Sequence, residues 1–170
     1  PDARWVHISR NPLKVFPSTV KLWRALYSAQ GLHNPPHCDA WLDDYVTERK
    51  AFGQTIGEFQ NTRFKLADMR TRIEASRLLV MQAAWAKAES KKTGQKNTLN
   101  ASMAKLFASE AGTRICANAI GVLGAVGYDV GRFPAERMWR DVKLCTIGEG
   151  TSEIQRLVIA RHLLREIAKS

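Results

Sequence analysis

Positions 58–92 place Phe59, Phe64, Leu66, Met69, Ile73, Leu78 and Met81 along one broad apolar face at helical spacing. The run is long for a globular helix, and Thr93-Gly94 supplies its stop. The flanking segments follow the same plan. AWLDDYVTERKAF sets Trp41, Leu42, Tyr45 and Val46 near a helical period, and Gly53 and Gly57 then punctuate a turn. A third helix is predicted to start after Asn97 or Thr98 and to run to about Leu123. Its alanines, Ala101, Ala104, Ala108, Ala111, Ala117 and Ala119, permit close approach of neighbouring helices, and Gly121, Gly124 and Gly127 break it. Pro134 suits the first turn of a short helix through Arg140. Beyond the CTIGEG loop, Thr151 or Ser152 caps a last helix that carries Ile154, Leu157, Val158, Leu163 and Leu164. No strand alternation follows position 40, so the expected fold class is all-α, an up-and-down four-helix bundle.

The first forty residues read differently. Pro12 and Pro17 interrupt a weak pattern, HNPPHCD breaks any helix, and only 20–32 has the makings of a short one. The expected organisation is an irregular, unassigned segment over 1–40 followed by one helical domain over 41–170. Hydrophobic residues at 45% and charged residues at 25% describe an ordinary globular chain. No apolar run approaches the roughly 18 residues of a membrane span, and PDARWVHISR lacks the layout of a secretory signal. Cys38, Cys116 and Cys145 are odd in number and far apart, which argues against a disulfide framework or a zinc site and suits a reducing compartment. The four histidines lack ligand spacing, so no metal is expected. The net charge of +10 is spread over helical patterns. It reads as solvated helix faces, or as a site for a phosphorylated ligand such as a CoA ester or a dinucleotide. Nucleic acid ranks behind both, because aromatics are not interleaved with the cations.

Two local patterns carry possible chemistry. Glu149 stands between Gly148 and Gly150, neighbours without side chains that let a loop carboxylate approach a ligand closely. The same pattern describes a solvent-exposed loop glutamate. The glycines Gly121, Gly124 and Gly127 would let backbone N–H groups reach phosphates, or would simply pack. Arg140 and Asp141 read as a structural ion pair.

Four stretches, in order, resemble the C-terminal domain of the acyl-CoA dehydrogenase family: ERKAFGQTIGEFQ with FKLADM, AKLFASEAG, ANAIGVLGAVGY, and FPAERMWRDVKLCTIGEGTSEIQRLVIARHLL. The resemblance covers about 44–165, and what it implies is concrete. Members oxidise an acyl-CoA to a trans-2-enoyl-CoA with FAD and pass electrons to an electron-transferring flavoprotein. They usually do so as homotetramers in which FAD also touches a neighbouring subunit. Their N-terminal helical and middle β domains do not fit in a chain of this length. The compartment implied is bacterial cytoplasm or mitochondrial matrix.

On that resemblance Glu149 is the base that removes the α-proton, a task that requires a water-poor pocket in which burial raises the carboxylate's pKa. Arg49, Phe52 and Gln60 match flavin-contacting positions, and otherwise read as a helix-end cation, a core aromatic and a surface amide. Gly121 and Gly124 match the adenine-side phosphate stretch, although the family usually has glutamine at the first and paired glycines at the second. Thr151 resembles a flavin-contacting hydroxyl, or is an N-cap. Gly148, Gly150 and Arg161 fall on the substrate side. Straight-chain members often have tyrosine where Gly148 stands, so a branched or bulky acyl group is expected. The alternatives are an oxidase-type relative and a non-catalytic helical oligomerisation module.

Overall fold

A computed structural model describes residues 40–94 and 96–169. The irregular segment expected over 1–40 (Ala40 excepted), its candidate helix over 20–32 and Cys38 lie outside the described residues. Residues 1–43 and 44–170 group as two units, and the second carries the bundle.

The described residues form five α-helices: α1 (Ala40–Glu48), α2 (Gln60–Thr93), α3 (Thr98–Leu123), α4 (Ala135–Cys145) and α5 (Ser152–Ile167). Short 3-10 turns, Ile56–Glu58 and Gly124–Gly127, precede α2 and follow α3. The class is all-α. One departure from the sequence reading is an antiparallel ribbon of β1 (Lys50–Ala51) and β2 (Gln54–Thr55), paired Lys50 with Thr55 and Ala51 with Gln54. The helix expected through Phe52 therefore stops at Glu48. The reason is local: Phe52 (φ 52°) and Gly53 (φ 84°) are both left-handed, the backbone of the tight turns that match strand twist. Strands of two residues leave no alternation to read.

The helix bounds follow from their end residues. Gly94 closes α2 in the left-handed conformation (φ 73°), with its N–H on the Ser90 carbonyl. At 34 residues, α2 is about 51 Å long. The turn after it is held by Asn97 Nδ2, which donates to the Ala83 carbonyl at 2.8 Å. At the far end of the pair, a β-carbon on Gly121 would lie 3.6 Å from Lys65 Nζ, so α2 and α3 run antiparallel. Pro134 is the N-cap of α4, which continues past Arg140 to Cys145, longer than the sequence suggested. Arg140 pairs with Glu136, one turn back on the same helix and buried.

α3 is the hub, touching α2, α4 and α5. Its buried residues are Ser102, Ala104, Ser109, Ala111, Ala119 and Leu123, nearly all small, as the alanine-rich pattern implied. A β-carbon on Gly112 would sit 2.7 Å from Val142 Cγ2, a measure of how closely α4 approaches. The broad apolar face read on α2 is covered only in part, because α3 is the long helix that packs against it. Met69 is buried, whereas Phe64, Leu78, Met81 and Trp85 are exposed. Leu157, Leu164 and Ile167 form a similar exposed row on α5.

Candidate functional site

α4 ends at Cys145 and its last carbonyls are met by the loop that follows. Ile147 N–H and Gly148 N–H both donate to the Leu144 carbonyl, at 3.0 and 2.7 Å, and Ser152 N–H donates to Thr146. Between these bonds the chain reverses through two consecutive left-handed residues, Glu149 (φ 58°) and Gly150 (φ 92°). That conformation costs a non-glycine residue about 1 kcal/mol, so other contacts must hold it. Two side chains do so. Lys105 Nζ, on α3, donates to the Gly150 carbonyl at 2.6 Å. Gln155 Nε2, buried on the first turns of α5, donates to the Glu149 and Gly150 carbonyls at 3.1 and 3.4 Å. Gly150 is fixed as glycine twice over, because a β-carbon there would also lie 2.8 Å from Gln155 Nε2. At Gly148 a β-carbon would come within 3.3 Å of the Leu144 carbonyl oxygen.

Glu149 itself is exposed. The water-poor pocket expected around it is not closed by the described residues, because α3 and α5 support the loop through its backbone carbonyls. Thr151 is the N-cap of α5: its Oγ1 accepts from Ile154 N–H at 3.4 Å. Glu153 is held below the usual carboxylate range, first by its own backbone N–H and then by the Thr151 hydroxyl. Replacing Thr151 with alanine is expected to lower stability by about 1 kcal/mol, read as a lower urea midpoint at unchanged slope. Arg161 is exposed and stands ten positions beyond the cap, about 15 Å along α5, so it is not brought beside Glu149.

The other expected ligand-binding residues gather elsewhere. Arg49 follows α1, with its N–H on Tyr45 O and its own carbonyl accepting from Ile56 N–H. Phe52 forms the ribbon tip and is 98% exposed, edge-on to Phe59 at 6.4 Å between ring centroids. That exposure removes its reading as a core aromatic. Gln60 opens α2 and is exposed. Tyr45 Oη donates to the Leu123 carbonyl at 3.2 Å, which joins this end to the C-terminus of α3. There Gly121 lies beside Lys65 Nζ, and Gly124 (φ 66°) has open space where a side chain would be. Gly127 differs, since a β-carbon would lie 2.7 Å from Leu123 Cβ and 3.2 Å from Ile120 Cα. It is a packing glycine. Arg49 and Lys65 are two cations at this end that suit a pyrophosphate, whereas the Gly124 N–H is already given to the Ile120 carbonyl and Gly121 lies within the helix.

The structure thus sorts the sequence-derived site into two groups. Lys105 marks the Glu149 loop on α3, and Gly121 marks the other group sixteen positions on, about 24 Å along the axis. Sequence reasoning passed over Lys105, Gln155, Lys65 and Tyr45. Lys105 had one signal, a lysine beside the alanine-lined face of α3, and Gln155 another, a polar residue one turn past a cap and directed inward.

Cys116 and Cys145 are free thiols, and burial pushes the Cys116 thiol up to about 11. Among the described residues no three of His, Cys, Asp and Glu converge in a metal-holding group, and no helix is long and apolar enough to cross a membrane.

The sequence matches the family model for the acyl-CoA dehydrogenase C-terminal domain over residues 21–164. It is 53% identical over 121 residues to the probable acyl-CoA dehydrogenase YngJ of Bacillus subtilis, covering 71% of this chain and 30% of that protein. The human mitochondrial short-chain specific acyl-CoA dehydrogenase is 52% identical over 122 residues, 72% of this chain and 28% of its own length. The solved butyryl-CoA dehydrogenase from Megasphaera elsdenii superposes with a TM-score of 0.67 at 38% identity, over 75% of this chain and 32% of that one. The chain therefore spans only about a third of the length of the relatives it matches. A domain-wide match in sequence, at this identity and with the same helical architecture, means that the chain belongs to the acyl-CoA dehydrogenase family and carries that family's C-terminal domain.

Proposed function

We propose that this chain supplies the base-bearing domain of an FAD-dependent acyl-CoA dehydrogenase, an oxidoreductase that converts an acyl-CoA to its trans-2-enoyl-CoA. The observation that carries the reading is the 146–151 loop. Glu149 sits on a left-handed backbone fastened from beneath by Lys105 and Gln155, with its side chain exposed. A carboxylate so fixed can meet an α-C–H, provided that other walls exclude water once substrate is bound. FAD, when bound, supplies the acceptor for the β-hydride.

The chain's own residues divide the remaining work. Arg49, Gln60, Gly121 and Gly124 hold the phosphate end of FAD, with Phe52 against it, and Thr151 offers its hydroxyl near the base. Gly150 lets substrate approach, and Arg161 shapes the substrate side. Because the two groups stand about 24 Å apart along α3, one end of each cofactor is met by a second copy of the chain. The exposed apolar rows on α2 and α5 support the same reading, a homo-oligomer such as a dimer or tetramer. Electrons then pass to an electron-transferring flavoprotein, in the bacterial cytoplasm or the mitochondrial matrix. Gly148 leaves the acyl side of the loop without a side chain, so branched or bulky acyl groups are accepted. Turnover of isobutyryl-CoA at least equal to that of butyryl-CoA is expected, and a strong preference for the linear ester would remove this part.

The first test is the visible spectrum of the full-length protein after addition of FAD. A stoichiometric flavin band that bleaches anaerobically with an acyl-CoA is expected. The same exposed apolar rows also fit a non-catalytic oligomerisation module, for which a folded oligomer without flavin would be the outcome.

A further inference from the structure

We propose that Lys105 is a positioning residue for Glu149, holding the Glu149–Gly150 backbone in its left-handed turn and setting a positive charge beside the base. The inference rests on the reading of Glu149 as the base.

Lys105 is half-buried on the hub helix, between buried Ser102, Ala104 and Ser109. A lysine at a helix surface ordinarily extends its ammonium into water. This one gives a 2.6 Å hydrogen bond to a carbonyl 45 residues away in sequence. Burial holds its pKa below the ordinary lysine value, and nearby groups work against that shift: Cys145 at the end of α4, Glu149 on the loop, Glu110 on its own helix and Glu153 on α5. Glu110 pairs with Arg156, and Glu153 takes its own backbone N–H and the Thr151 hydroxyl.

Lys105 and Gln155 are not redundant. Gln155 is neutral and spans both carbonyls, whereas Lys105 is charged and takes Gly150 alone. A charge-assisted bond is the stronger kind of tether, and it acts at the Gly150 carbonyl, one residue past the base. Without Lys105 the loop would keep one neutral anchor.

The test uses the full-length, FAD-loaded protein with Lys105→Met, Lys105→Arg and Glu149→Gln. For Lys105→Met, kcat is expected to fall about 10- to 100-fold, the scale of a misplaced catalytic group, with KM nearly unchanged. Lys105→Arg, which keeps a charged donor, recovers much of kcat. A readout independent of turnover is the Gly150 amide resonance, which is expected to shift and broaden in Lys105→Met and to return in Lys105→Arg. Should the methionine variant fail to fold, Lys105→Gln keeps a donor without charge and is expected to lower kcat and shift the same Gly150 resonance, because a neutral donor is the weaker tether. Parental kcat and Gly150 resonance in Lys105→Met, with Glu149→Gln inactive, would overturn the positioning role alone. Full activity in Glu149→Gln would overturn the base reading and the role of Lys105 in catalysis with it.

Discussion

Glu149→Gln is expected to slow acyl-CoA-dependent bleaching of the flavin by about 10³-fold, within the range that a positioned general base contributes. The replacement keeps the size and shape of the side chain and takes away its ability to accept a proton at neutral pH. Its backbone is left-handed with either residue, and the Lys105 and Gln155 bonds go to carbonyls, so the loop should hold its course. FAD content is expected to stay at the parental level, since Arg49, Gln60, Gly121 and Gly124 stand about 24 Å away along α3. Stopped-flow reduction by a saturating acyl-CoA, with flavin content measured on the same sample, separates the two effects. A reduction rate close to the parent's would assign proton abstraction to another residue. Loss of flavin without loss of rate per flavin would make Glu149 a binding group instead.

The second large effect belongs to the interface that carries the loop. At Gly112 a β-carbon would already lie 2.7 Å from Val142 Cγ2. A leucine there must push α4 away from α3 or twist into a strained rotamer, which is expected to cost about 2–3 kcal/mol. For a domain of this size that corresponds to a Tm lower by roughly 5–10 °C. The consequence reaches the site, because α4 ends at Cys145 and the Glu149 loop is hung on its last carbonyls. Bleaching by an acyl-CoA should therefore weaken together with stability. Val142→Ala removes the atom in the way, so the double variant is expected to be more stable than the sum of the single changes predicts. Strict additivity in thermal unfolding would mean that the two residues do not meet, and that the close α3–α4 approach is wrong at this point.

How far the sequence reached differs by element. The end of α2 at Gly94, the start of α3 after Asn97 and its end at Leu123, and the Thr151 cap of α5 were all readable in advance. The role of small residues on α3 was readable in part, since Ala104, Ala111 and Ala119 are buried whereas Ala101 and Ala117 are exposed. The stop of α1 at Glu48 was not, because a ribbon of two residues per strand leaves no period and its turn depends on Phe52 accepting a positive φ. α4 ran five residues past the expected Arg140. The pattern of α2 promised a covered apolar face, and the structure exposes Phe64, Leu78 and Met81.

By itself, then, the sequence determined where α2 ends, where α3 begins and ends and where α5 begins, which helices could approach closely, and that a glycine-flanked glutamate stands between the last two. Caps, left-handed glycines and helical periods act over a few neighbouring residues, so their causes are written in adjacent letters. Only the tertiary structure decided that Lys105 reaches Gly150 across 45 positions, and that Tyr45 ties the ribbon end to Leu123 across 78. It also decided that the residues expected around one ligand fall into two groups at opposite reaches of α3. Those pairings depend on the direction and depth at which helices pack, and packing is set by complementary surfaces far apart in the chain, which no local window of sequence contains.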